Sequence, residues 1–169
     1  WIVQVTEPES VTDGAYKTIQ DVVDEWVNRM AFTVENIRLT HLGKPMGDKA
    51  DGEPQPDTIE CRYSGRSLND MRDALTGVQQ VWKGPENEEQ LGIRDLVLSA
   101  SLVSVIDELF ETSITTLASV PETLEESVLE SPQKIKDAQE ALKELQIAIQ
   151  ADLAALVGVT ISFNDTDGD

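Results

Sequence analysis

The stretch RYSGRS, residues 62–67, places two arginines and two serines around a glycine in an otherwise acidic chain. Its last residue, Ser67, stands where a helix is predicted to begin, so the unpaired backbone N–H groups of a first helical turn would lie beside it. Such a turn binds anions, and arginine adds paired hydrogen bonds to a carboxylate. Ser64, Arg66 and Ser67 are therefore candidates for binding an anionic group of a ligand or of a partner domain. Ordinary helix capping beside a surface arginine is the alternative.

A second group of polar side chains lies near the end of the first predicted helix. His41 extends the apolar stripe of that helix and is either a ligand or proton shuttle, or a histidine stabilised by the helix dipole. The dipole interpretation is favoured, since the chain has no second His and no Glu stands four residues from His41. Asn36 and Arg38 are candidates for a polar network inside a bundle, with a solvated helix face as the ordinary alternative. Glu35 and Arg38 also have the i,i+3 spacing of an ion pair.

The stretch SFNDTDGD, residues 162–169, suggests a calcium loop, but its spacing contradicts that interpretation. Aligning Gly168 with the glycine of an EF-hand loop puts Phe163 at the first position, which needs a carboxylate. Asn164 and Asp165 are instead predicted to cap or turn the chain near a helix end.

The composition narrows the range of functions. The chain has 169 residues, 40% of them hydrophobic, which suffices for one domain with a buried core. The 32 acidic and 13 basic residues give a net charge of −19, so nucleic acid is not an expected partner. One Cys and one His exclude an intramolecular disulfide, a structural Cys/His zinc site and a two-His metal site. The acidic cluster that includes Glu125 is interpreted as solvated charge.

Four segments carry the apolar spacing of long amphipathic helices. They are predicted over residues 14–41, from Ser67 to Gly84, over 89–119, and from Pro132 (capped by Ser131) to Gly158, with a short helical turn at 122–130. Asp13 is the expected N-cap of the first helix, and Gly43 followed by Pro45 its end. Ser67, with Asp70 three residues later, forms a variant of the capping box. With no strand pattern between the helices, the predicted fold is all-α, an up-and-down four-helix bundle with long loops.

Three stretches together resemble one family. ENIRLTHLGKPMG (35–47), ECRYSGRSLNDMRDALTGVQQVW (60–82) and GVTISFNDTDGD (158–169) are similar to the C-terminal half of imelysin-like proteins. Those are bacterial periplasmic or lipid-anchored proteins associated with iron uptake and first described as insulin-cleaving peptidases. Their helical repeat is duplicated, so each half is like a four-helix bundle and the site lies where the halves meet. The resemblance implies that residues 1–169 form a single helical domain, one half of a duplicated two-bundle fold.

The hallmark of that family, G-x-H-x-x-E on the N-terminal half, is absent here, because Lys44 stands three positions after His41. The resemblance therefore implies a non-catalytic half that presents five residues to the N-terminal half of the same protein: Asn36, Arg38, Ser64, Arg66 and Ser67. Half of a metallopeptidase is the alternative. The implied ligand is a small molecule, haem or a metal; no cofactor is assigned to this chain, and iron or another metal would belong to the complete protein. The resemblance also implies a periplasmic protein or an outer-membrane lipoprotein, anchored through its N-terminal portion.

Overall fold

A computed structural model describes residues 6–84, 91–121 and 123–162, and it contains helices and no strand within those residues. The helices are α1 (Ile19–Asn36), α2 (Ser67–Lys83), α3 (Ala100–Ala118), α4 (Leu124–Glu130) and α5 (Pro132–Ile147). α1 continues through a first π segment (Ile37–Gly43) and a last turn (Lys44–Met46), and α5 continues through a second π segment (Ala148–Leu153) and a last turn (Ala154–Val157). Short 3-10 turns are Pro8–Ser10, Pro56–Thr58, Arg62–Ser64 and Ile93–Leu96. The prediction for Asn164 and Asp165 lies outside the described residues.

The first and last long helices run antiparallel. Near the start of α1, the Gln20 side-chain amide donates to the Val157 carbonyl over 3.2 Å. At the other end, the Gln139 amide donates to the Arg38 carbonyl over 3.3 Å. Position 20 therefore meets position 157, and position 38 meets position 139, as in neighbouring helices of an up-and-down bundle.

α2 and α3 are antiparallel in the same way. The Trp82 indole Nε1 donates to Asp107 Oδ1 over 2.7 Å, and the Arg72 guanidinium donates to the Leu117 carbonyl over 3.2 Å. α1 also packs against α2, and α3 against α5, so each long helix contacts the next and the last contacts the first. The predicted all-α helical bundle is confirmed.

The interior between the four long helices is apolar. Its largest fully buried side chains are Trp82, Phe110, Ile37, Leu42, Leu75, Ile106, Leu117, Ile135, Leu142, Leu145, Ile149 and Leu153. Most of them belong to the stripes predicted from the sequence. Five stripe residues are exposed instead: Ile19, Leu91, Leu98, Val105 and Leu156. Burial of the remaining stripes provides the main stabilisation, at about 25 cal/mol per Å² of apolar surface removed from water.

The beginning of α1 differs from the prediction. Thr18 is its N-cap, since the Thr18 hydroxyl accepts a hydrogen bond from the Asp21 N–H over 3.2 Å. In return the Asp21 carboxylate accepts one from the Thr18 N–H over 2.9 Å. The assignment of Asp13 as the cap is wrong, because this reciprocal capping box satisfies the first free N–H groups five residues later.

Two further helix boundaries are corrected. The third long helix begins at Ala100 rather than near residue 89, because Ser99 is in an extended conformation and caps it by accepting from the Leu102 N–H. The first long helix continues past Gly43 and Pro45 and ends at Gly47, whose φ of 79° is left-handed. The π segment changes the hydrogen-bonding frame just before Pro45, so its missing N–H falls in the first turn of a new α-helical segment.

The other predicted boundaries are confirmed. α5 begins at Pro132 after Ser131, although the Ser131 side chain makes no capping hydrogen bond, and its continuation ends at Gly158 with a left-handed φ of 71°. α2 ends before Gly84, which has a φ of 76°. Glycine adopts these conformations without the penalty that a Cβ atom would bring. The short helix predicted at 122–130 is α4.

Candidate functional site

The first π segment brings together polar side chains that an α-helix would separate. Asn36 and His41 are five positions apart, and the Asn36 Nδ2 lies 3.0 Å from His41 Nε2. In an α-helix, with 3.6 residues per turn, positions i and i+5 point about 140° apart. A π-helix closes its turn at i+5, so the two side chains lie on the same side. The contact therefore depends on the π geometry.

Glu60, in the loop before α2, completes what we call the histidine cluster: Asn36, His41 and Glu60. His41 Nδ1 lies 3.3 Å from Glu60 Oε2. If Asn36 donates to Nε2, Nδ1 carries the ring proton, and its contact with the Glu60 carboxylate is electrostatic. Side-chain exposure is 23% for His41 and 65% for Glu60. The cluster therefore ends in a carboxylate that is open to solvent.

A small pocket of about 90 Å³ adjoins the histidine cluster. His41 and Glu60 line it together with Ser67 at the start of α2, while Ile37 and Met71 supply apolar surface. With Asp70 and Cys61 also in its lining, the pocket combines two carboxylates, an imidazole, a thiol and a hydroxyl with an apolar wall, between the π segment and the first turn of α2.

On the α5 side of the same helix lies the arginine cluster: Glu35, Arg38, Gln146 and Gln150. Arg38 Nε donates to Gln146 Oε1 over 3.0 Å, and Gln146 Nε2 donates to Glu35 Oε2 over 3.1 Å. Gln150 Nε2 also donates to Glu35 Oε2, over 3.2 Å. Among the described residues, Gln146 joins Glu35 to Arg38 in place of the direct ion pair that their spacing predicted. The result is a polar network across the helix interface.

The serines of the RYSGRS stretch are engaged by the loop itself. The Ser64 hydroxyl donates to the Cys61 carbonyl over 2.8 Å, and the Ser67 hydroxyl donates to the Glu60 carbonyl. The N-cap of α2 is Arg66, with no side-chain capping bond, so the predicted capping box of Ser67 and Asp70 is wrong. The physical reason is that Ser67 is the first helical residue and its hydroxyl is turned back to the loop.

The two arginines of that stretch contact carboxylates of the chain. Arg66 is exposed, with Nε 3.3 Å from Asp70 Oδ1 and a terminal nitrogen 3.7 Å from Asp73 Oδ2. Asp70 is itself one of the residues that line the pocket, so Arg66 lies at the edge of the pocket. A ligand anion at this position would share Arg66 with those two carboxylates.

Arg62 holds the loop against α4. Its Nε and a terminal nitrogen donate to the two carboxylate oxygens of Glu125 over 3.2 and 2.6 Å, and it also contacts Asp57. The hydrogen bond to Glu125, then the one to Asp57, raises the pKa of Arg62, and the hydrogen bond from Arg62 lowers the pKa of Glu125. Glu125 was interpreted as solvated charge; it is instead half of a two-oxygen ion pair.

The structure therefore divides the five candidate residues between three places. Asn36 and Ser67 are linked indirectly: Asn36 contacts His41, His41 contacts the Glu60 carboxylate, and Ser67 donates to the Glu60 carbonyl. Arg38 faces α5. Ser64 and Arg66 lie on the exposed loop and helix start.

Sequence reasoning missed three residues of these clusters: Glu60, Gln146 and Gln150. Gln146 had a detectable signal, because it follows Leu142 by four positions and so belongs to the apolar side of the last helix. A polar residue there is expected to be buried and hydrogen-bonded. Glu60 had no such sequence signal, because it lies in a loop whose path the sequence does not reveal.

Two further features of the described residues bear on function. No three or more of their His, Cys, Asp and Glu side chains are grouped so that they could hold a metal ion. None of their helices is long and apolar enough to cross a membrane.

This all-helical chain with a polar π segment can now be placed among known families. The family model described as Imelysin matches residues 3–151. The match covers most of the chain, and the chain belongs to the imelysin family. It includes two of the three stretches that carried the resemblance, 35–47 and 60–82, whereas the third, 158–169, lies beyond it. No curated protein and no solved structure matched the chain.

Proposed function

We propose that this chain is the non-catalytic, ligand-binding half of an imelysin-like protein of the bacterial cell envelope that serves iron uptake. In this proposal its histidine cluster and pocket meet an N-terminal half of the same protein, which completes the site. Family membership supports the proposal at the level of protein class.

The observation that carries the proposal is the histidine cluster. His41 and Glu60 are an imidazole and a carboxylate, which are both ligand types for iron, and they lie 3.3 Å apart beside a pocket. Asn36 holds Nε2 of His41 from the other side, as outer groups commonly orient a metal-binding histidine. Iron would therefore bind at Nδ1 in place of the ring proton. Two such groups are fewer than a stable metal site uses, so further ligands would come from the N-terminal half or from an iron chelate.

The proposal also gives roles to the other candidate residues. Ser67 lies on the pocket wall and would contact a chelate or another small ligand bound there. Arg38 is held by Gln146 and would fix the orientation of the π segment that carries Asn36 and His41. Ser64 and Arg66 lie on the exposed surface, where they would contact the N-terminal half.

The test is a titration of the intact protein, with both halves present, against ferric citrate and separately against haemin. Bound iron or haem is measured after gel filtration, and Trp fluorescence reports occupancy. Glu60→Gln is expected to weaken ferric citrate binding by about tenfold or more, as loss of a metal-site carboxylate does. Glu140→Gln, which removes an exposed carboxylate paired with Lys143 on α5, is the matched control and should bind like the parent.

Equal binding by Glu60→Gln and the parent would contradict the proposal. So would equally tight binding by this chain alone, because the site would then not need the other half. Cleavage of a peptide substrate by the intact protein, abolished by a chelator, would support the alternative of a metallopeptidase.

A further inference from the structure

A second cavity is the groove between α1 and α2, which has a volume of about 460 Å³. Its floor is apolar and is formed by Trp26, Met30 and Val78, while Tyr16 and Arg29 lie at its rim. Cavities of this size and composition, apolar with a few polar groups at the edge, are typical of sites for small organic molecules. None of these residues belongs to the histidine cluster or the arginine cluster.

Gly77 makes room for this cavity, and the fold does not require a glycine there. It lies in the middle of α2 and lines the cavity. A Cβ atom built at Gly77 meets no other atom within 4 Å, so close helix packing does not demand it. Its φ is not in the left-handed range either. Glycine inside a helix costs about 1 kcal/mol relative to alanine, and what it provides here is open space over the floor of the cavity.

The rim offers hydrogen-bond donors. Arg29 Nε donates to Glu25 Oε1 over 2.7 Å, and the Arg29 side chain is 72% exposed. Within the described residues the two terminal nitrogens of its guanidinium have no hydrogen-bond partner, so their N–H groups can bind an acceptor. Glu25 also lines the cavity, and one of its carboxylate oxygens is bonded to Arg29. An anionic oxygen group that binds the terminal nitrogens would share the Arg29 guanidinium with Glu25.

We propose that the groove between α1 and α2 binds a small aromatic molecule that carries one anionic group, such as an aromatic carboxylate. The ring lies on Trp26 over the space that Gly77 leaves, and the anionic group binds the terminal nitrogens of Arg29. Offset stacking on an indole stabilises such a ring beyond the burial of its surface. This site goes beyond the proposed iron-related function and does not depend on it.

The test uses two fluorescent probes with the same aromatic framework. 8-Anilinonaphthalene-1-sulfonate carries an anionic group, and N-phenyl-1-naphthylamine lacks it. Each is titrated into the full 169-residue chain in native buffer. Gly77→Leu is expected to weaken both probes by about tenfold or more, because its side chain fills the groove. Arg29→Gln is expected to weaken only the sulfonate, by about tenfold, because one charge-assisted contact is lost.

Matched controls keep these results interpretable. Thr76→Leu adds the same side chain to the exposed side of α2, and Arg94→Gln removes an arginine that lies outside the groove; both should bind like the parent. Gly77→Leu should melt at the parent temperature or higher, since the Cβ has room and leucine favours the helix. A loss of binding would then not reflect unfolding.

Three results would overturn the proposal. Gly77→Leu could bind both probes like the parent, which would place them elsewhere. Arg29→Gln could affect both probes equally, which would remove the anionic group from the ligand. Light scattering could show that the parent is a dimer that Gly77→Leu converts to a monomer, and the groove would then be an interface between two copies.

Discussion

Replacement of Gln146 by leucine tests whether the arginine cluster stabilises the bundle. Gln146 is buried, with 7% of its surface exposed, and it bridges Arg38 and Glu35 through bonds of 3.0 and 3.1 Å. Leucine has a similar volume and no hydrogen-bonding group. Gln146→Leu therefore removes the bridge and leaves the packing volume nearly unchanged.

The magnitude follows from the two bonds to charged groups. Each such bond contributes about 1.5–3 kcal/mol. Arg38 and Glu35 are only half-buried, so water replaces part of the lost interaction, and leucine adds about 1 kcal/mol of apolar burial. We expect the free energy of unfolding to fall by about 2 kcal/mol. For a chain of this size that lowers Tm by about 6 °C.

Urea denaturation followed by tryptophan fluorescence measures this change. The control is Gln133→Leu on the same helix, whose amide donates to Asp137 over 2.8 Å in full exposure; it should change stability by less than about 0.5 kcal/mol. A double-mutant cycle with Arg38→Met should give a coupling energy above about 0.5 kcal/mol. If Gln146→Leu is as stable as the parent, or more stable, the reasoning about this cluster is refuted.

Three further predictions concern the ends and loops of the helices. Thr18→Ala should lower the free energy of unfolding by about 1 kcal/mol through loss of the N-cap, measured by urea denaturation; no change would contradict the capping box. Arg62→Gln should destabilise the fold at neutral pH, and the difference in stability from the parent should shrink on acidification. The reason is that the ion pair lowers the pKa of Glu125 in the folded state. The stabilisation therefore exists above the ordinary carboxyl pKa of about 4.3 and disappears as pH falls through the pKa of the folded state. A difference independent of pH in melting scans would argue against the ion pair. Gly47→Ala should reduce stability by more than about 3 kcal/mol, since its Cβ would lie 2.1 Å from the Glu53 carbonyl oxygen. Gly52→Ala, with a similar φ of 80° and no atom near its Cβ, should cost only about 1 kcal/mol; equal melting temperatures of these two variants would refute the steric argument.

The architecture was predictable because burial follows a simple period. Side chains three and four positions apart share one helix face, so stripes such as Leu142, Leu145 and Ile149 identified the long helices and the side that is buried. The helix ends were less predictable. Thr18 with Asp21 has the same spacing as Ser67 with Asp70. Only the structure shows that the first pair forms a capping box and the second does not.

The site was predictable only in part, because the π segments leave little trace in an apolar pattern. A π turn contains one residue more than an α turn. The extra residue moves nearby side chains around the helix axis, but the apolar residues in the sequence still follow three- and four-residue steps. The sequence identified Asn36 and Arg38 as polar network candidates, but it could not show that Asn36 contacts His41. Glu60 reaches His41 from a loop, and its position is set by tertiary contacts that no local pattern encodes.

The two π segments also constrain how this chain tolerates insertions and deletions. Each is equivalent to an α-helix that carries one inserted residue. The two segments belong to neighbouring antiparallel helices, which contact each other where Gln150 donates to Glu35. Deletion of one residue from the first π segment would relax it to an α-helix and leave the residues after it, including Leu42 and Met46, on the helix faces that they now occupy. Both of those side chains are buried. The buried core that follows the segment would therefore tolerate the loss of this residue, whereas the contact between Asn36 and His41 would not.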